Sequence, residues 1–254
     1  MRSFVVDDLT VRVHDRDRDL ATDAAEAAAA AIDAAVRARG VAHVMLATGN
    51  SQLAFLDALT HRAGIDWRAV IGFHMDEYVG IPGDHPASFR RYLRERVVDV
   101  VHPGAFEYVE GDAPDPVAEC GRYAGLLAAH PLDVCCLGIG ENGHLAFNDP
   151  PVADFDDPVA VKVVELDEAC RRQQVGEGHF ADLDAVPRRA ITVTIPALLA
   201  AARVLAVVPE ARKEAAVTAA LTGPVSPACP ASALRRAPHT TLYLDADSAA
   251  GLAA

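Results

Sequence analysis

Short runs of β-branched and other apolar residues alternate along the chain with longer stretches rich in alanine and leucine. The runs have strand length and the stretches have helix length. Strands are predicted at Val11–His14, His43–Ala47, Val70–His74, Asp133–Leu137, Val159–Val164, Ile191–Ile195, Val204–Val208 and Thr241–Leu244. Helices are predicted over Leu20–Arg39, about Ser51–His61, Ser88–Asp99, Pro116–Ala129, Pro196–Ala201 and Arg212–Leu221. Val134–Leu137 and Val204–Val208 are apolar at every position, as central strands of a parallel sheet covered on both faces are. The alternation predicts an α/β fold: one Rossmann-like domain over residues 1–254, with a mostly parallel sheet, right-handed crossovers and helices on both faces. Ligands of such sheets bind beyond the carboxyl ends of the strands, so the loops there should hold the chemistry.

Composition narrows the partners. The formal charge of −13 argues against nucleic acid or an anionic membrane, while leaving room for a phosphorylated small molecule held by a few local donors. The five cysteines (Cys120, Cys135, Cys136, Cys170 and Cys229) form no CxxC pair and have no metal-ligand spacing. They read as reduced and mostly structural, with no metal site expected. Met1-Arg2-Ser3-Phe4 opens onto polar, acidic sequence without an apolar signal core, and no stretch is long enough for a membrane span. The expected location is the cytoplasm.

Four loops carry candidate chemistry. Ala47-Thr48-Gly49-Asn50-Ser51 follows a strand and opens a helix, so glycine allows close backbone approach while helix N–H groups and two hydroxyls offer an anion cradle. The same residues could simply cap the helix. Phe73-His74-Met75-Asp76-Glu77-Tyr78-Val79-Gly80 runs from a strand into two adjacent acids. A carboxylate buried there would have a raised pKa and could act as a general base; otherwise Asp76 caps the next element and Glu77 is solvated. Leu137 through Pro150 holds Gly138, Gly140 and Gly143 among Glu141, Asn142, His144 and Asp149, a setting in which a histidine could transfer protons beside a carboxylate. It is too crowded with functional side chains for a dinucleotide loop. Pro209-Glu210-Ala211-Arg212-Lys213 places Lys213 at a helix start, where it could meet a phosphate or merely be solvated.

Taken together, these loops resemble the glucosamine-6-phosphate deaminase family. The likeness extends through His85-Pro86 with Ser88, Val186-Pro187 with Ala190-Ile191-Thr192-Val193, Gly223-Pro224-Val225 and Ala231-Ser232, in family order over most of the chain. The related 6-phosphogluconolactonases share the fold and the Gly-His loop, but not Asp-Glu-Tyr-Val-Gly or Ala-Phe-Asn-acid-Pro. The resemblance implies a cofactor-free enzyme of N-acetylglucosamine and amino-sugar breakdown that isomerises and deaminates glucosamine 6-phosphate. His144 would open the ring with Asn142 and Asp149 assisting, and Asp76 would carry the proton from C2 to C1. Thr48, Gly49, Asn50, Ser51 and Lys213 would hold the phosphate, with Gly140 also against the substrate.

The chain departs from the family at several of these positions. Asn142 stands where well-studied bacterial members have Asp, and Asp149 stands where glutamate is usual, which shortens the reach to His144. Cys170 through Phe180 replaces a Ser-Arg-Phe-Phe pattern, so Arg171 or Arg172 is expected to take over the phosphate clamp, with Gln173 or Gln174 as neutral donors. Asn50-Ser51-Gln52 stands where a Gly/Ser-Thr-Pro pattern is common. No activating amino-sugar site is recognisable around Asp154–Val164, and none is predicted. The competing readings are galactosamine 6-phosphate as substrate, a 6-phosphogluconolactonase-like hydrolase, a sugar-phosphate binder without turnover, and the effector domain of a transcription regulator. The last is disfavoured by the acidic charge and the short segment before the first strand. Related enzymes span monomers to hexamers, so a homo-oligomer stays open.

Overall fold

The computed structural model describes residues 1–176, 178 and 180–252. In chain order the strands and α-helices begin with β1 (Arg2–Val6), β2 (Leu9–Val13), α1 (Asp17–Arg39), β3 (Ala42–Leu46), α2 (Leu53–Thr60), β4 (Val70–His74) and β5 (Asp76–Tyr78). They continue with α3 (Phe89–Leu93), α4 (Asp99–Val101), β6 (Ala105–Glu107), α5 (Pro116–Ala129), β7 (Val134–Leu137), β8 (Val161–Glu165) and α6 (Glu168–Gly176). The last are β9 (Arg189–Val193), α7 (Ile195–Leu199), β10 (Arg203–Val208), α8 (Glu214–Thr222) and β11 (Thr240–Leu244). None of the described helices is long and apolar enough to cross a membrane.

Eight strands form one sheet in the order β1-β2-β11-β10-β7-β3-β4-β6, parallel throughout except for the β1–β2 pair. Alternate residues of its central strands enter opposite layers. Val44, Leu46, Cys136 and Val207 pack with α1 and α2, while Met45, Cys135, Leu137 and Val208 pack with α5, α7 and α8. Both sides of these strands are therefore dry, which is why their sequences show no polar alternation. α1 buries Leu20, Ala24, Ala28, Ile32 and Ala35, a stripe at helical spacing, and ends at Gly40, whose φ of 79° suits the left-handed cap.

β1, β6 and α6 lie outside the sequence expectation, and two predicted segments differ in form. Residues 76–78, read as loop, are β5, which pairs with β9 in a separate antiparallel sheet of order β5-β9-β8. The segment 88–99, expected as one helix, is α3, a π-helical turn at Arg94–Val98 and then α4. Leu93, Val97 and Val101 all face the α1–α2 layer. Their four-residue spacing overshoots an α-helical turn of about 3.6 residues, and the wider π turn brings them onto one line.

Strand order decides where the site lies. From β3 the chain moves outward to β4 and β6; from β7 it eventually moves the other way, to β10 and β11. β3 and β7 are neighbours, and the Ala47 N–H still donates to the Cys136 carbonyl at 2.9 Å. The loops that leave them diverge and open a crevice at their carboxyl ends. The second sheet stands over this end of the molecule: Val193 N–H donates to the Met75 carbonyl (2.8 Å), and a smaller core containing Tyr78, Phe89, Phe147, Cys170 and Ala190 joins it to α3 and α6.

Candidate active site

Four of the loops singled out above meet at this crevice. After β3, Gly49 (φ 104°) turns the chain and accepts the Gln52 N–H at 3.0 Å, starting the 3-10 turn Asn50–Gln52 that runs into α2. Buried Gln52 ties that turn to β10 by donating to the Val207 carbonyl at 3.0 Å. Thr48, Gly49 and Ser51 line the cavity, while the exposed Asn50 lies outside the lining. Lys213 ends the 3-10 turn Ala211–Lys213 before α8 and lines the same cavity, although it is only 3% exposed.

Of the two adjacent acids after β4, Glu77 takes the capping place that the alternative reading gave to Asp76, and Asp76 lines the cavity. Glu77, read as solvated, is fully buried and accepts from Ser88 Oγ (2.6 Å) and from the N–H groups of Tyr78 (2.9 Å), Phe89 (3.3 Å) and Arg90 (3.0 Å). It thus occupies the start of α3, with the Arg90 guanidinium 3.5 Å away. Burial raises its pKa, and these bonds work in the opposite direction. Asp76 instead faces the cavity. Burial, then the nearby charge of Glu77, holds its pKa well above the ordinary carboxylate value.

The loop after β7 is shaped around His144. The imidazole lies against Gly140 so closely that a Cβ there would meet ring atoms at 2.2 Å, so glycine is required by contact rather than by φ. Beyond it, Ala146 has a φ of 51°. Fully buried Asn148 pins the turn by donating to the carbonyls of Leu145 (2.8 Å) and Val193 (2.9 Å). Asp149 Oδ1 comes within 3.0 Å of His144 Nδ1 and accepts from Asn142 Nδ2 at 2.9 Å; Asn142 Oδ1 accepts the His144 backbone N–H at 3.1 Å. The shorter aspartate therefore reaches the histidine. Burial alone would raise the Asp149 pKa, but the contacts with His144 and Asn142 outweigh it and hold the carboxyl below its usual value.

The remaining wall comes from α6, which the sequence reading did not assign. Arg171 turns away from the cavity and donates to the carbonyls of Leu183 and Val186. Arg172 pairs with Glu168 on the exposed side. Neither lines the cavity, whereas Gln173 and Gln174 do. Gln174 is buried and accepts the Tyr78 hydroxyl at 2.7 Å on its Oε1. Within the segment expected to replace the clamp, Glu177 and His179 lie outside the described residues. Glu77, Tyr78 and Cys170 support the site although sequence reasoning gave them no part in it. An acid directly beside a candidate base, and a cysteine four residues before a glutamine, were the only available signals.

This geometry has known counterparts. The family described as glucosamine-6-phosphate isomerases/6-phosphogluconolactonase matches residues 15–243. A relative from Bacillus cytotoxicus named glucosamine-6-phosphate deaminase is 35% identical over 224 residues, which is 88% of this chain and 83% of the relative. A solved structure of a monomeric glucosamine-6-phosphate deaminase superposes with a TM-score of 0.86 at 29% identity, covering 95% of this chain and 99% of the other. A 6-phosphogluconolactonase from Shewanella baltica shares the fold, with a TM-score of 0.77 at 20% identity over 95% of this chain and 97% of that one. The chain belongs to the glucosamine-6-phosphate isomerase/6-phosphogluconolactonase family.

Proposed function

We propose that the protein deaminates an amino-sugar 6-phosphate, converting glucosamine 6-phosphate and water into fructose 6-phosphate and ammonia. The observation that carries this reading is the presence, on one cavity, of a buried carboxylate and a carboxylate-backed imidazole. His144 moves the proton of the C1 hydroxyl to the ring oxygen as the C1–O5 bond breaks, and Asp149 orients the ring. The aldehyde so formed acidifies the C2 proton. Asp76 takes that proton and returns it to C1 while a proton of the amine passes to O1, which leaves a ketimine at C2 and a hydroxyl at C1. Water adds to C2 and ammonia leaves. The step is a hydrolysis of a C–N bond, and a phosphorylated substrate of this kind places the enzyme in amino-sugar breakdown in the cytoplasm.

Thr48, Gly49, Ser51 and Lys213 are assigned to the phosphate: free N–H groups of a helix start, two hydroxyls and one buried cation suit a dianion. Gln174 is assigned to substrate positioning. Because its Oε1 accepts from Tyr78, its amide nitrogen is the end left for the cavity that the residue lines. A lactonase would need no C–H abstraction, and a dry carboxylate at Asp76 would serve no step in its reaction.

Three outcomes are expected. Purified protein releases ammonia from glucosamine 6-phosphate or galactosamine 6-phosphate, and Asp76→Asn lowers kcat by roughly 10²–10⁴-fold or more. Lactone hydrolysis without ammonia release, unaffected by Asp76→Asn, would show the lactonase reading to be the right one. The same variant is expected to be more stable than the parent at pH 7. Because burial holds the folded-state pKa of Asp76 above its unfolded value, the destabilisation is absent at low pH and grows as the carboxyl ionises. Melting curves should therefore show Asp76→Asn higher by a few degrees, the effect of about 1 kcal/mol in a chain of this size. That gap should close as the pH falls towards 3.8, the ordinary aspartate value. Finally, Gln174→Ala should raise KM about tenfold, the loss of one substrate hydrogen bond of roughly 1 kcal/mol, with kcat little changed; equal KM values for variant and parent would remove Gln174 from the substrate site.

A further inference from the structure

Beside the proton relay stands a third group that the reaction does not use. Cys170 Sγ, from α6, lies with a ring nitrogen of His144 and a carboxylate oxygen of Asp149 so that all three atoms are within 4.8 Å of one another. Residues 144, 149 and 170 have no metal-ligand spacing along the chain, so only the fold brings them together. Asp149 is buried, with a side chain 1% exposed; its Oδ1 serves Asn142 and His144, and the Cys170 thiol is a further hydrogen-bonding neighbour of its carboxylate. His144 Nδ1 is 3.0 Å from Oδ1. An imidazole nitrogen, a carboxylate oxygen and a thiol thus converge on one point behind the cavity wall.

We propose that His144, Asp149 and Cys170 form an inhibitory site for a thiophilic divalent cation of the Zn²⁺ type. The mixed N, O and S donor set matches the preferences of Zn²⁺, and three protein ligands with one open position make an exchangeable site rather than a closed structural one. The open position would face the substrate cavity, which His144 lines. Binding is balanced as Zn²⁺ plus the Cys170 thiol giving the zinc thiolate and one proton released to solvent. With the metal on Nδ1 the neutral imidazole would keep its single proton on Nε2, and the carboxylate would bind as an anion, so no further proton is released. The cation would hold the histidine nitrogen and the carboxylate that ring opening requires, so occupancy and turnover would exclude one another. That inhibition rests on the relay role proposed for His144 and Asp149; the binding does not.

The test is a Co²⁺ titration of the purified, chelator-treated full chain, followed by the near-ultraviolet charge-transfer absorption of thiolate-bound Co²⁺. The expected result is one equivalent bound per chain, displaced by Zn²⁺, with the thiolate band lost in Cys170→Ser. The band should be retained in Cys229→Ser, whose thiol packs against Gly143 of the same loop. Asp149→Asn should weaken Co²⁺ binding by at least the roughly 10–100-fold that losing a supporting residue costs a metal site. Zn²⁺ should inhibit ammonia release by the parent and by Cys229→Ser, and by Cys170→Ser far less. Absence of a thiolate band in the parent, or its survival in Cys170→Ser, would overturn the site. A Cys170-dependent band in a protein that releases no ammonia would uphold the site and overturn the deaminase reading instead.

Discussion

Where the chain leaves the parallel sheet and enters the small antiparallel one, Asp76 is held almost out of water beside a second acid, and its charged form is raised in energy. Most of the neighbouring architecture can be understood as what makes that placement tolerable. Glu77 cannot also remain exposed or unpaired, so α3 begins on it, supplying two backbone N–H groups and the Ser88 hydroxyl, with Arg90 alongside. β9 pairs with β5 and fixes the direction of Asp76 through a register in which residue 76 faces Thr192. Thr192 in turn accepts the Phe147 N–H at 3.1 Å, joining the carboxylate's strand to the loop that bears His144. Asp76 and His144, the proposed base and acid–base imidazole, are thus set by one framework rather than by two independent loops.

The contrast between the two aspartates matches the division of labour proposed for them. Asp76 is pushed up by burial, which suits a group that must accept a proton from carbon near neutral pH. Asp149 is equally inaccessible but is held down by His144 and Asn142, which suits a fixed anion that orients an imidazole. Two carboxylates with opposite displacements are what a reaction with separate ring-opening and C–H steps requires. The close seat of His144 on Gly140, and the clamp formed by Asn148, fix the distance over which the shorter aspartate has to reach.

Much of this was legible in the sequence because the central strands are apolar at every position, so their carboxyl ends, and hence the site, could be located. Asp76, His144, Asn142 and Asp149 were singled out from their loops and from family resemblance, and the fold brings them to one end of the sheet. Adjacent residues of a strand point to opposite sides, so choosing between Asp76 and Glu77 as the cavity-facing acid requires knowing which side the cavity is on. α6 was missed for a similar reason. Glu168–Gly176 is polar over most of its surface, and only Cys170 and Gln174, one turn apart, mark its buried face. Arg171 and Arg172 lie off that face, which is why neither meets the cavity while Gln174 does. β1 is an edge strand with mostly exposed side chains and carries no alternation to read.

The central claim is that a carboxylate shielded from solvent moves one proton between adjacent carbons. Glucosamine 6-phosphate labelled with deuterium at C2 tests it directly, by analysis of the ketose product formed in ordinary water. Deuterium recovered at C1 well above the solvent background, together with slower turnover of the labelled sugar, is the predicted result. Complete loss of the label with no isotope effect on turnover would contradict a shielded proton carrier at Asp76.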